Sequence, residues 1–199
     1  GSEMCKETES VQIAHDNGAK QFSFTFIIDN DGAEEKDLAY LQKHDPVKLV
    51  SGFISQIDKL SAITDDWWVE YSFPMCVYTE EQLKLLKGRL ATPCQIHLKN
   101  AVTFNTKMEL LPCDMYIYQQ LGKFGRDFSS YQGFLSLTES ANYNKTMDEI
   151  RKLPSDECTA CEHFSVCYGG CPVLWKNYSF AALKEFKAKG PLNSGFSGE

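Results

Sequence analysis

Hydrophobic and polar positions alternate along KQFSFTFIID, Lys20 to Asp29, where Phe22, Phe24 and Phe26 are set against serine and threonine. A period of two predicts a half-buried strand. The signal returns in DWWVEYSF, Asp66 to Phe73, and stops at Pro74. Between these two stretches the period lengthens. NDGAEEKD reads as a loop, and DLAYLQKH and PVKLVSGFISQIDKL have helical spacing with a break at Pro46, where the ring removes a backbone donor. Thr79 opens TEEQLKLLKGRL with a capping signal for a short helix. Residues 1–91 therefore run strand, helix, strand, helix, the rhythm of a parallel α/β unit. Residues 1–19 are polar and predict only partial order.

The pattern changes after residue 93. CQIHLKN, AVTFNTKMELLPCD and QGFLSL predict short strands, with Asn105-Thr106-Lys107 as a hairpin turn between Val102–Phe104 and Leu110-Leu111. NYNKTMDEIRKL predicts a helix that stops before Pro154, and VLWKNYSFAALKEFKAKG a last helix stopped by Gly190. The expected architecture is α/β: a partial parallel, barrel-like segment over 1–91, followed by a small α+β cysteine-rich domain over 92–199.

Composition narrows the function. The 199 residues are 43% hydrophobic and carry a net charge of −7, which suits a folded core and argues against a nucleic-acid or anionic-membrane partner. No apolar run approaches the ~18 residues of a membrane span. No signal peptide is visible and Gly1-Ser2 reads as an expression remnant, so a cytoplasmic location is expected.

Cysteine placement then dominates the picture. Four of the eight cysteines fall in CTACEHFSVCYGGCP as C-x2-C-x5-C-x3-C, at Cys158, Cys161, Cys167 and Cys171. Cys94 and Cys113 bracket the expected hairpin, so strand pairing would bring their sulfurs near each other. Disulfides suit small secreted chains short of a core, and buried structural thiols do not crowd together. Metal ligation is the preferred reading, since thiolates are the favoured ligands of zinc and of iron–sulfur clusters. Gly169 and Gly170 would let backbone pass close to a bulky centre.

This arrangement resembles the SPASM domain, the auxiliary cluster-binding extension of radical S-adenosylmethionine enzymes. Cys94, thirteen residues, Met108, four residues and Cys113 match the first part of the family pattern in length, and Cys158 to Pro172 match the second. Three features depart from it. Met108 stands where the family has glycine, no cysteine follows Cys171, and the C-x3-C-x2-C motif of the radical centre is absent from the chain. The resemblance implies one or two auxiliary 4Fe–4S clusters. Cys94, Cys113 and Cys171 would serve the first, with Cys76 as a candidate extra ligand. Cys158, Cys161 and Cys167 would serve the second, with His163 a candidate for its open position. It further implies peptide modification with a peptide or protein substrate, and S-adenosylmethionine only in a full-length enzyme. The alternative is a non-catalytic binding module with a structural zinc that engages a peptide or protein partner. Cys5 is assigned nothing. DNDGAEE has acidic spacing faintly like a calcium loop without the rest of that pattern, and one of Trp67 and Trp68 is expected to face the core.

Overall fold

The computed structural model describes residues 3–26, 44–70 and 73–188, with side chains from Thr8 onward. These fall into two compact units. The first holds the described residues up to Thr92 and those from Tyr178 onward; the second spans Pro93–Asn177. The closing helix thus belongs to the first unit, not to the cysteine-rich one. The NDGAEEKD loop, the DLAYLQKH helix, the calcium-like segment and the Gly190 stop lie outside the described residues.

The first unit is a parallel strand pair with helices. Helix α1 (Glu3–Asp16) covers the segment expected to be only partly ordered. Its residues are mostly good helix formers, and Val11 is buried. Strand β1 (Phe22–Thr25) pairs parallel with β2 (Trp67–Glu70), with Phe22 opposite Trp67 and Thr25 opposite Glu70. A parallel pair needs a crossover, to which α2 (Pro46–Ile54) and α3 (Ile57–Ile63) contribute, buried through Val50, Phe53, Ile57 and Leu60. Asp45 caps α2, its carboxylate accepting from the Val47 and Lys48 amides at 2.9 Å, and Pro46 fills a first-turn position that needs no donor. The rings of Phe24, Phe26, Phe53, Trp67 and Phe73 meet at centroid separations of 5.0 to 6.2 Å. Trp67 faces this core; half-buried Trp68 donates from Nε1 to Glu70. After a 3-10 turn at Met75–Val77, Thr79 and Gln82 form a reciprocal capping box at the start of α4 (Glu80–Leu85). Beyond α4 the chain returns to β2: the Val69 amide donates to Arg89 O and Ala91 N to Val69 O. Last comes α10 (Phe180–Ala188), which buries Leu183 and Phe186.

The described strands do not form a barrel, so the barrel-like expectation is corrected. The mixed α/β character holds, with one parallel pair, one small antiparallel sheet and helices among the described residues.

The second unit carries that sheet. Strand β3 (Thr103–Phe104) pairs antiparallel with β4 (Glu109–Leu111), which pairs with β5 (Gly122–Lys123). The turn falls at Asn105–Lys107 as expected, its Asn105 carboxamide oxygen accepting from the Lys107 and Glu109 amides at 3.0 Å. Two expected strands are helices. Gln95–Leu98 forms α5, and QGFLSL lies within α6 (Tyr131–Glu139). Short apolar runs do not distinguish strand from helix by period; here the ends decide. Ser130 caps α6 through the Gly133 amide at 3.1 Å, and Ser140 caps α7 (Ala141–Ile150) through Tyr143 N. A 3-10 turn at Asp156–Ala160, α8 (Phe164–Cys167) and α9 (Leu174–Asn177) complete the unit.

Candidate metal centre

Six of the seven nominated cysteines lie in the second unit, and electrostatic contacts link them in two sets of three. Cys94 precedes α5, Cys113 follows β4, and Cys171 precedes the turn into α9. The Cys171 thiol donates a hydrogen bond to Cys94, and Cys113 lies within electrostatic reach of Cys94. Tyr116 senses all three: burial, then the neighbouring Cys171, Cys113 and Cys94 sulfurs, push its phenol upward. In the other three, Cys158 sits in the 3-10 turn, Cys161 ends it, and Cys167 is the last residue of α8. Cys158 feels both Cys167 and Cys161. Cys158, Cys167 and Cys171 are buried, Cys94 and Cys113 half-buried, and Cys161 exposed.

The first three share a backbone device that sequence reasoning missed. Each cysteine begins a tight turn, and its sulfur accepts from the amides two and three residues on: Ile96 and His97 for Cys94, Met115 and Tyr116 for Cys113, Val173 and Leu174 for Cys171. The matching carbonyl bonds run from His97 N to Cys94 O, Tyr116 N to Cys113 O and Leu174 N to Cys171 O. Amides aimed at sulfur stabilise thiolate and tune a bound metal. The signal available in the sequence was a cysteine placed ahead of a short helical turn, with no proline at the second or third position after it.

The thiols differ in acidity. Cys94 falls to about 7, chiefly because Cys171 donates to it and against the cost of burial. Cys171 is raised by the same bond and by burial. The hydrogen bond thus makes Cys94 the more acidic thiol of the pair. Burial lifts Cys113 to about 11 and raises Cys158. Metal ligation would displace these protons.

Between Cys167 and Cys171 the backbone is unusual. Tyr168, Gly169 and Gly170 take φ of 50°, 82° and 80° in succession. A Cβ on Gly169 would come within 3.0 Å of Leu153 Cδ2 and 3.1 Å of Pro154 Cδ. Glycine is therefore required there by close approach as well as by conformation. Trp175 Nε1 donates to Gly169 O at 2.7 Å, and His97 Nε2 lies 3.3 Å from Gly170 O. These contacts pin the loop to the segments that carry Cys94 and Cys171.

Cys76 lies in the first unit, exposed on the Met75–Val77 turn. His163 stands at the cap of α8, its carbonyl accepting from the Val166 and Cys167 amides. Cys5 lies on α1, outside the described side chains.

The donor set is all sulfur, which suits zinc or an iron–sulfur cluster. Among the described residues no three cysteine sulfurs all lie within 4.8 Å of one another. A tetrahedral zinc with sulfurs at about 2.3 Å would draw them to about 3.8 Å. A cubane cluster gives each thiolate its own iron and holds the sulfurs farther apart, and either centre would reposition the thiols on binding.

Comparison with protein-family models, with curated proteins and with solved structures finds no match to this chain. No helix among the described residues is long and apolar enough to cross a membrane.

Proposed function

We propose that this chain is the auxiliary-cluster portion of a radical S-adenosylmethionine enzyme that modifies peptides, holding one or two 4Fe–4S clusters on its cysteines. The observation that carries the reading is the grouping of thiols. Cys94 and Cys113 are far from Cys171 in sequence, yet all three lie within electrostatic reach of Tyr116, while Cys158 lies within reach of Cys161 and Cys167. The SPASM resemblance implies that same partition. The all-sulfur donor set and the amide pairs directed at Cys94, Cys113 and Cys171 add support.

Bound clusters would conduct electrons or contact a peptide substrate. The chain's own residues do the rest. The turn amides hold the sulfurs of the first group. Gly169 lets the loop pass close to Leu153 and Pro154. Buried Tyr116, with Lys176 Nζ at 4.3 Å from its ring centre, lies within electrostatic reach of the first group. Each group supplies three thiolates, so a fourth ligand comes from elsewhere; Cys76 and His163 are the candidates. Without the C-x3-C-x2-C motif, these residues alone would not form the radical from S-adenosylmethionine.

Anaerobic purification with iron and sulfide analysis tests the reading. We expect broad visible charge-transfer absorption, which zinc cannot give because it is d10. Cys161→Ala and Cys113→Ala should each lower iron content by about one cluster's share. Stoichiometric zinc with no iron in freshly isolated protein would sink the proposal in favour of a structural zinc module.

A further inference from the structure

A cleft of about 270 Å³ opens in the second unit, between α5, the β3–β4 hairpin and the α6–α7 pair. Its floor is apolar: Ile96, Leu110, Leu111 and Met147 are buried there, with Phe134 beside them. Its cationic groups are Lys99 and Arg151, and no aspartate or glutamate lines it, although the whole chain carries −7.

Arg151 is held in place. Its Nε donates to Ile96 O at 2.9 Å, and its side chain is only 16% exposed. Asp148 approaches Nη1 at 3.7 Å but is itself 77% exposed, and such a surface pair is weak. Nη2 makes no hydrogen bond among the described residues, so part of the guanidinium fork remains for a ligand. That fork matches a carboxylate in two-pronged geometry. Asn144 adds an acceptor, because its Nδ2 is spent on the Thr138 and Ser140 carbonyls and its Oδ1 is not.

We propose that this cleft binds a carboxylate carried on a short apolar chain, the floor taking the chain and Arg151, assisted by Lys99, taking the charge. The volume sits at the lower edge of small-molecule pockets, roughly 300 Å³ and upward, so the ligand has the size of one or two side chains. The carboxylate belongs either to a free acid or to an acidic residue beside an apolar one in a peptide. The proposal needs no metal and stands apart from the iron–sulfur reading.

The test is a ligand-observed NMR titration of the full chain as isolated. The probes are N-acetyl-L-leucine, its uncharged amide, and the capped peptide acetyl-Gly-Leu-Glu-Gly-amide. N-acetyl-L-leucine or the peptide should bind with Kd on the order of 1 mM, as ligands of this size do. The uncharged amide should bind about tenfold more weakly. Arg151→Gln should cause the same loss. So should Val102→Glu, which puts a carboxylate on an exposed lining residue and leaves the buried floor intact. Tighter binding of the peptide than of the free acid identifies a peptide source, and the reverse a small acid. Equal binding of acid and amide, no binding of any probe, or binding unchanged in Val102→Glu overturns the proposal. Iron content, measured on the same samples, lets the cluster reading fail or stand separately.

Discussion

Met108 holds a backbone conformation that its side chain disfavours. It stands where the resemblance calls for glycine, and its φ is 59°. The turn therefore keeps the left-handed conformation glycine favours, with methionine held in it. Its amide donates to Asn105 O at 2.9 Å and its carbonyl accepts from Phe124 N at 3.0 Å, which fixes the backbone. The side chain is 48% exposed and contributes little packing. Met108→Gly should raise stability by about 1 kcal/mol, the cost of the left-handed region to a residue with a Cβ. Urea unfolding measures it, and a loss would show that the side chain packs more than its exposure indicates. His97 makes a second prediction. Burial lowers its pKa, opposed by Gly170 O, with Arg151 pushing the same way as burial. As pH falls below about 6.5 the unfolded chain takes up this proton before the folded one does. Stability should therefore be full above that pH and decline as pH drops toward the folded value. Melting curves from pH 7.5 to 5.5 should show a steeper decline in the wild type than in His97→Gln.

At the scale of elements, ends mattered more than periods. Thr79 was legible because its capping box is local: the Gln82 amide donates to the threonine hydroxyl at 3.3 Å, and the Thr79 amide donates to the Gln82 side chain at 2.9 Å. Thr79→Ala should cost about 1 kcal/mol, measured by denaturant unfolding; Thr79→Ser should recover most of it. The strand expected at QGFLSL failed because Phe134, Leu135 and Leu137 also suit one side of a helix, and Ser130 and Ser140 place caps around it. The helix expected over Val173–Gly190 divides in two within its described part, with α9 in one unit and α10 in the other.

At the scale of the molecule, the two units differ in what can hold them. The first has a joined set of five aromatic rings and a parallel strand pair. In the second, α6 and α7 reach nine and ten residues, but α5, α8 and α9 have four each and no described strand exceeds three. Elements that short are marginal unless something ties them together. Ligation free energy is folding free energy when the site forms only in the folded chain. Stripping metal anaerobically with a strong chelator should therefore remove amide-exchange protection from β3, β4 and α8 while β1 and β2 keep theirs. Unchanged protection in the second unit, in a sample shown to be metal-free, would mean that its apolar contacts suffice.

By itself the sequence determined what local chemistry determines. Phenylalanines two apart make β1, an Asp-Pro pair starts α2, Asn105 turns the hairpin, and four cysteines in one loop demand an explanation. Spacing rules alone left open which sulfurs meet; only the family resemblance suggested a partition, and the tertiary contacts carry it. Cys171 could have joined its loop neighbours but lies against Cys94 instead, because the left-handed run at Tyr168–Gly170 turns the chain and His97 and Trp175 hold the loop there. It also assigned α10 to the first unit and brought Arg151 to Ile96 over a cleft that no spacing rule announces. These outcomes depend on contacts between distant residues, whose energies exceed the local preferences that a sequence pattern reads.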